Sequence, residues 1–179
     1  TETNLPKKEN LSYFGKNDEA HWVYNFSLPP LIINTFLFED SKALTKWSMK
    51  MPPAQIGNAY LNFIASHDGI GMRPAEGVLT DKEIKKMLQR LKKNGSQFSM
   101  RKLSNGKEKV YEANISLFDA LKFTDNDEKG RFDLKRFIAA HCIILAIEGV
   151  PAFYFNSLFA TKNDKKAFDS SGIKRNLNR

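Results

Sequence analysis

Asn62-Phe63-Ile64-Ala65-Ser66-His67-Asp68-Gly69-Ile70-Gly71 is the stretch that decides how this chain is read. An apolar run rich in strand formers ends abruptly in His-Asp-Gly. An imidazole and a carboxylate therefore stand side by side at the end of a buried strand, just ahead of a glycine turn. In a β/α barrel the loops that follow the C-terminal strand ends build the site. A second carboxylate, Glu2, stands in a similar setting near the start of the sequence. Two acids on different strand ends are what glycosidic-bond chemistry requires. Spacing alone leaves plainer readings open beside these. Asp68 also fits a capping carboxylate at a strand-to-loop turn, and His67 a hydrogen-bonded core histidine. Glu2 also fits an unimportant residue at a chain end.

Working outward, residues 59–65 form the strand that feeds His67 and Asp68. Upstream, residues 21–26 read as another strand. Ser27 is a candidate N-cap for a helix over Leu28–Phe38, with Pro29 and Pro30 tolerated in its first turn. Residues 5–20 are polar and read as loop. The stretch 41–50 shows no clear pattern and is punctuated by Pro52-Pro53. Downstream, Thr80-Asp81-Lys82-Glu83 has the form of a capping box. Ile84, Met87, Leu88 and Leu91 follow at helical spacing until Asn94-Gly95. Residues 96–106 read as a hairpin or loop with Asn105-Gly106 at its turn. A short helix over 115–121 and a charged loop over 124–130 come next. Asp133 then caps a long helix through Phe137, Ile144 and Ile147, stopped by Gly149 and Pro151. Residues 152–155 read as a bulky strand, and the tail from Thr161 as polar and basic with a turn at Gly172. This alternation predicts an α/β chain of parallel β/α units, interrupted between Ser96 and Leu121.

Ser66-His67-Asp68-Gly69-Ile70-Gly71 resembles the signature on the seventh strand of the α-amylase superfamily (glycoside hydrolase family thirteen). The likeness is greatest to its sucrose phosphorylase and glucosylglycerate phosphorylase branch. Four further segments agree with that branch in the same order. They are Glu2-Thr3-Asn4-Leu5-Pro6, then Val23 to Pro30, then Tyr111-Glu112-Ala113-Asn114. The last runs from Gly149-Val150-Pro151-Ala152-Phe153-Tyr154 on to Asn163-Asp164 and Asn176-Leu177-Asn178-Arg179. The resemblance implies a partial (β/α)8 TIM barrel, the fifth to eighth strand units, with a small inserted subdomain. A complete barrel takes about 250 residues, so 179 residues are too few for one, and the resemblance implies that they are the C-terminal half of the catalytic barrel. Residues 1–95 would be barrel strand and helix units and 96–121 the inserted loop subdomain. Residues 122–179 would supply the last barrel helix, strand and acceptor-site loop. The family's nucleophilic Asp, on the fourth strand, would lie upstream of residue 1, so these residues alone are expected to be inactive.

The same resemblance assigns roles. Asp68 would stabilise the oxocarbenium-like transition state, and His67 would donate to the same sugar. Glu2 would be the general acid/base, with a raised pKa suited to proton donation. Arg179 would contact the glucosyl unit, and Asn163 and Asp164 would shape the acceptor site. Asp164 reads equally well as a polar surface turn. Glu76 is a rival acid, but Arg73-Pro74-Ala75-Glu76-Gly77 reads more simply as a loop ion pair. His141, in an apolar helix, reads as structural. The implied function is a retaining glucosyl-transferring phosphorylase. It would act on sucrose or a related α-glucoside with inorganic phosphate as acceptor. The Glu2-Thr3-Asn4 context and residues 155–159 lean toward the glucosylglycerate enzymes. An α-glucoside hydrolase of the same superfamily and a non-catalytic module are the alternatives.

Composition narrows the field. A single cysteine, Cys142, cannot form an internal disulfide and suits a reducing cytoplasm. No apolar stretch approaches the roughly 20 residues of a membrane span. The net charge of +8 invites nucleic acid. However, Lys82, Lys85, Lys86, Arg90, Lys92 and Lys93 share their helix with Asp81 and Glu83 and read as a solvated face. No nucleic-acid recognition signature accompanies them, so neither nucleic acid nor membrane is an expected partner. Asp125-Asn126-Asp127-Glu128-Lys129-Gly130 begins like a calcium loop, but it has Lys129 at the fifth position and Arg136 at the twelfth. Clustered zinc ligands and a dinucleotide fingerprint are both lacking, so no metal or cofactor is expected. Open sheet edges of a half-barrel would invite self-association.

Overall fold

The computed structural model describes residue 2, residues 5–14 and residues 19–179. Its strands are β1 (Trp22–Tyr24), β2 (Ala59–Asn62), β3 (Ile70–Gly71), β4 (Gln97–Lys102), β5 (Glu108–Asn114) and β6 (Val150–Pro151). Its helices are α1 (Lys7–Leu11), α2 (Leu28–Phe38), α3 (Lys42–Ser48), α4 (Asp81–Lys93), α5 (Leu117–Lys122), α6 (Asp133–Ala146), α7 (Phe155–Leu158) and α8 (Lys165–Ser171). Single 3₁₀ turns cover Arg73–Ala75 and Lys174–Leu177.

Two sheets result. The first is parallel, in the order β1-β2-β6, with Val23 opposite Tyr60 and Leu61 opposite Val150. Parallel neighbours need crossover connections, and helices supply them here. The second is antiparallel, in the order β3-β5-β4. β4 and β5 form a hairpin whose turn falls at Asn105-Gly106 as expected, with Gly106 at a positive φ of 77°, but whose second strand lies beyond the expected 96–106. β3 begins two residues after Asp68 and pairs Ile70 with Ala113 and Gly71 with Glu112. The loop from β2 is thus tied at its far end to the hairpin.

α2 is the centre of the core. Leu28, Leu31, Ile32, Ile33 and Leu37 are all essentially inaccessible, as expected of a helix apolar on every side. It packs against α3, α5 and α6 and against β3. Ser27 occupies its N-cap position, but its hydroxyl donates to Pro74 O (3.2 Å). Pro29 and Pro30 lack N–H groups, which reduces the number of donors that need a cap. α4 begins with the anticipated capping box: Thr80 Oγ1 accepts from Glu83 N, and Glu83 Oε2 accepts from Thr80 N (2.7 Å). Ile84, Met87 and Leu91 face inward and the lysines outward.

Several expectations are corrected. Arg90 does not belong to the solvated face of α4. It is 5% exposed, donates to Phe123 O and Thr124 O and pairs with Glu128. Residues 7–11, read as loop, form α1, pinned by Asn10 Nδ2 donating to Tyr24 O (2.8 Å). Within the patternless 41–50 stretch lies α3, anchored by the buried Trp47. The bulky strand at 152–155 is instead the short β6 followed by α7. Ala152 N makes a last bond to Asn62 O, and Phe153 leaves the sheet to stack on His141. Gly149 explains why β6 can approach at all. Its φ is +133°, and a Cβ there would lie 2.5 Å from Tyr60 O. Asp133 is the first helical residue of α6 and not its cap, while the preceding loop is organised by Asp127. The polar tail folds into α8, which Gly172 closes at a positive φ.

Candidate functional site

Beyond β2 the backbone turns through Ser66, whose Oγ accepts from Asp68 N (3.1 Å). Gly69 must follow because the hairpin passes too close for any side chain. A Cβ there would meet Asn114 Oδ1 at 2.9 Å and Ala113 O at 3.0 Å. The requirement for glycine after Asp68 is therefore one of space. From the other side the C-terminal residues hold the same loop. Asn178 Nδ2 donates to Asp68 O (3.0 Å) and His67 O (3.4 Å), and Arg179 Nε donates to His67 O (3.2 Å).

These contacts present the Asp68 carboxylate to two arginines and an imidazole. Arg175 Nη1 lies 2.7 Å from Oδ1, His67 Nε2 3.5 Å and Arg179 Nη2 3.8 Å. The side chain stays 27% exposed. Arg175 is itself gripped from β5. Its Nη2 donates to Glu112 Oε1 (2.7 Å) and its Nε to Glu112 Oε2 (3.2 Å), the strong two-point geometry of a guanidinium on a carboxylate. Glu112 is only 4% exposed. Its hydrogen bonds, helped by the Asp68 charge, hold the Arg175 guanidinium above its ordinary pKa despite partial burial.

A cavity of about 30 Å³ opens beside Asp68, walled by Phe26, Phe63, Tyr154, Asn156 and Asn178. That is room for a water or two, far too little to enclose a hexose. Phe26 packs edge-on against Phe63 (5.1 Å between ring centres), and Tyr24 completes an aromatic cluster at the ends of β1 and β2. This cavity does not enclose a sugar, and 27% of the Asp68 side chain stays exposed.

Of the residues singled out from sequence, His67, Asp68 and Arg179 come together here. Asn163 and Asp164 are engaged elsewhere. Asn163 Oδ1 accepts from Ser116 N and the Asn163 backbone N–H donates to Asp119 Oδ2, both at 2.7 Å. Asp164 accepts from Ala167 N at the start of α8. Glu2 is exposed, while its neighbours Thr1, Thr3 and Asn4, and Gly15 of the expected loop, lie outside the described residues. Glu76 does form an ion pair, but with Arg101 and Lys109 of the hairpin (both 2.9 Å). Burial raises its pKa, and those two cations outweigh that and hold it below the usual range. Asp125, Asp127 and Glu128, the start of the calcium-like loop, pair with Lys86, Arg90 and Arg136. Among the described residues no group of three His, Cys, Asp or Glu is placed to hold a metal ion. No helix among them is long and apolar enough to cross a membrane.

Sequence reasoning missed Arg175 and Glu112. The segment 111–114 drew attention as a block, and Arg175 sat in a tail read only as basic. No alternation marks Glu112 either, because Glu112, Ala113 and Asn114 are buried in succession at the end of β5.

No family profile matches the chain. The glucosylglycerate phosphorylase of Allomeiothermus silvanus is 40% identical over 180 residues, covering all of this chain and 32% of that protein. The sucrose phosphorylase of Streptococcus mutans is 31% identical over 165 residues, covering 90% of this chain and 31% of its own length. The chain thus spans about a third of the length of the curated relatives it matches. Among solved structures, sucrose 6F-phosphate phosphorylase from Thermoanaerobacter thermosaccharolyticum superimposes on 99% of the chain and 34% of its own, with a TM-score of 0.82 and 21% identity. The fold is accordingly a mixed α/β arrangement resembling part of a sucrose phosphorylase barrel. The sequence likeness to these phosphorylases runs along nearly the whole chain and takes in about a third of each relative.

Proposed function

We propose that the chain is the fifth-to-eighth-unit portion of a retaining glycoside phosphorylase that passes a glucosyl group from an α-glucoside to inorganic phosphate. An alignment with a glucosylglycerate phosphorylase that spans the whole chain at 40% identity carries this reading. Glucosylglycerate is the preferred glucoside, ahead of sucrose, because the identity is higher on that side, 40% against 31%. Residues 1–95 and 122–179 supply barrel units and the acceptor-site loop. Residues 96–121 form the insertion that braces the site. The covalent glucosyl intermediate forms on a carboxylate outside these residues, so the chain alone does not turn over.

In this reading Asp68 faces the positive charge that develops at the anomeric carbon. A fixed anion in a partly dry site is worth more there than in water. His67 donates to the sugar hydroxyls and Arg179 to the glucosyl unit. Glu2 protonates the departing oxygen and later takes the proton of the incoming acceptor. Asn163 and Asp164 shape the acceptor side through the loops they tie down. A reducing cytoplasm suits the lone, exposed Cys142. Self-association is supported by an apolar stripe on α6, where Leu134, Ile138 and Leu145 are all exposed. Nucleic acid and membranes are not partners in this reading.

The test is an assay of the full-length protein for phosphate-dependent release of glucose 1-phosphate from glucosylglycerate and from sucrose. Release that needs phosphate, faster on glucosylglycerate, is the expected result. Glucose released at the same rate without phosphate would overturn it in favour of a hydrolase.

A further inference from the structure

We propose that Arg175 is a positioning residue for Asp68 and that the buried Glu112 is its anchor, so that the hairpin controls the carboxylate from behind. This rests on the reading of Asp68 as the group that faces the transition state. Three observations on separate elements carry the inference. Glu112 is 4% exposed on β5, which suits a carboxylate only if it is paired. Its pairing is two-point, at 2.7 and 3.2 Å, which fixes the plane of the guanidinium as well as its distance. The remaining nitrogen, Nη1, then lies 2.7 Å from Asp68 Oδ1.

The chain of contacts is directional. One guanidinium, held through two nitrogens of one edge by a buried acid, offers its third nitrogen to an acid that is 27% exposed. Backbone geometry reinforces it, since Gly71 of β3 lies opposite Glu112 in the sheet. Arg179, 3.8 Å from the same oxygen and 44% exposed, has no such anchor and is the freer of the two to meet a ligand. Arg175 therefore sets where the Asp68 carboxylate points, while the open side remains for the sugar. A lysine could not do this. Its single ammonium cannot span both acids in a fixed plane.

Positioning acts on the transition state more than on substrate binding, and small displacements of reacting groups can cost up to about 100-fold in rate. In the full-length enzyme, Arg175→Ala and Arg175→Lys should each lower kcat by about 10- to 100-fold with KM within about 3-fold. Glu112→Gln should act in the same direction more weakly. The deciding arm is a double-mutant cycle with Asp68→Asn. Once the carboxylate charge is gone, Arg175→Ala should cost less than about 2-fold further. Additive losses, a rise in KM at constant kcat, or unchanged kinetics in the Arg175 and Glu112 variants would overturn the proposal. Should Arg175→Ala fail to fold, Arg175→Lys and Glu112→Gln decide by the same criteria. If Asp68→Asn alone keeps its turnover, the reading of Asp68 fails first and this inference falls with it. If Asp68→Asn is crippled but the Arg175 effects add to it, only the positioning role is lost.

Discussion

Asp68 and Asp127 are both aspartates held by arginines, and they are held in opposite ways. Asp127 is saturated. Its carboxylate accepts from the backbone N–H groups of Arg131 (2.9 Å) and Phe132 (3.0 Å) and pairs with Arg136 Nη1 at 2.9 Å, with 8% of the residue exposed. Burial works against its charge, yet those two N–H groups and Arg136 prevail and hold its pKa down at about 2. Asp68 is braced by side chains on one edge and open on the other. A structural carboxylate uses up its lone pairs, whereas one meant to meet a ligand keeps some in reserve.

The largest difference should appear in turnover. On the proposed reading, Asp68→Asn in the full-length protein keeps the shape of the side chain and removes the charge. Its expected cost is about 10²- to 10³-fold in kcat, similar with phosphate and with water as acceptor, and with little change in melting temperature. Glu2→Gln supplies the internal control. It should be impaired on a natural glucoside and partly spared on an activated aryl or fluoride glucoside, where no proton donor is needed. Kinetics on both substrates would separate the two roles, and equal behaviour of the two variants would collapse them into one.

Asp127→Asn should give the reverse pattern. The loop before α6 would lose its charged organiser and leave Arg136 short of a partner, so thermal unfolding should shift down by several degrees. Turnover per folded molecule should stay near wild type. Differential scanning calorimetry beside a kinetic assay would show it. A stable but inactive Asp127→Asn would break the comparison.

Acid provides a gentler probe. Asp127 has a folded pKa of about 2 against an ordinary 3.8, so its contribution is present above the ordinary value and lost as pH falls through about 2. His141 acts at milder pH. Burial against Phe137 and Phe153 lowers its pKa from 6.5, with the Phe137 carbonyl opposing. The neutral ring is favoured in the folded state, so stability should decline as pH falls below 6.5. Denaturant midpoints at pH 7.5 and 5.5 should show a small loss in the wild type that His141→Phe abolishes.

What could be read from the residues follows the same divide. The His67-Asp68-Gly69 motif announced an acid in a turn beyond a strand, because glycine, strand formers and the acid lie close in sequence, although β2 stops at Asn62, short of the expected residue 65. The capping box at Thr80 and the hairpin around Asn105-Gly106 were legible for the same local reason. Glu112 and Arg175 lie 63 positions apart, and only the folded hairpin brings them to Asp68. Arg90 looked like one more solvated base, since its pull toward the Phe123 and Thr124 carbonyls comes from a loop over thirty residues away. α3 escaped notice because its stability comes from Trp47 packing inward and not from a repeating apolar face. Local chemistry was readable, and the bracing behind it was not.

The central claim is that Asp68 meets the glucosyl group on its open side. A crystal structure of the full-length protein with a bound α-glucoside tests it most directly. The account requires an Asp68 carboxylate oxygen within about 3 Å of a sugar hydroxyl, with Arg175 still bridging Asp68 and Glu112. A sugar bound away from Asp68, with that carboxylate engaged only by its arginines, would contradict it.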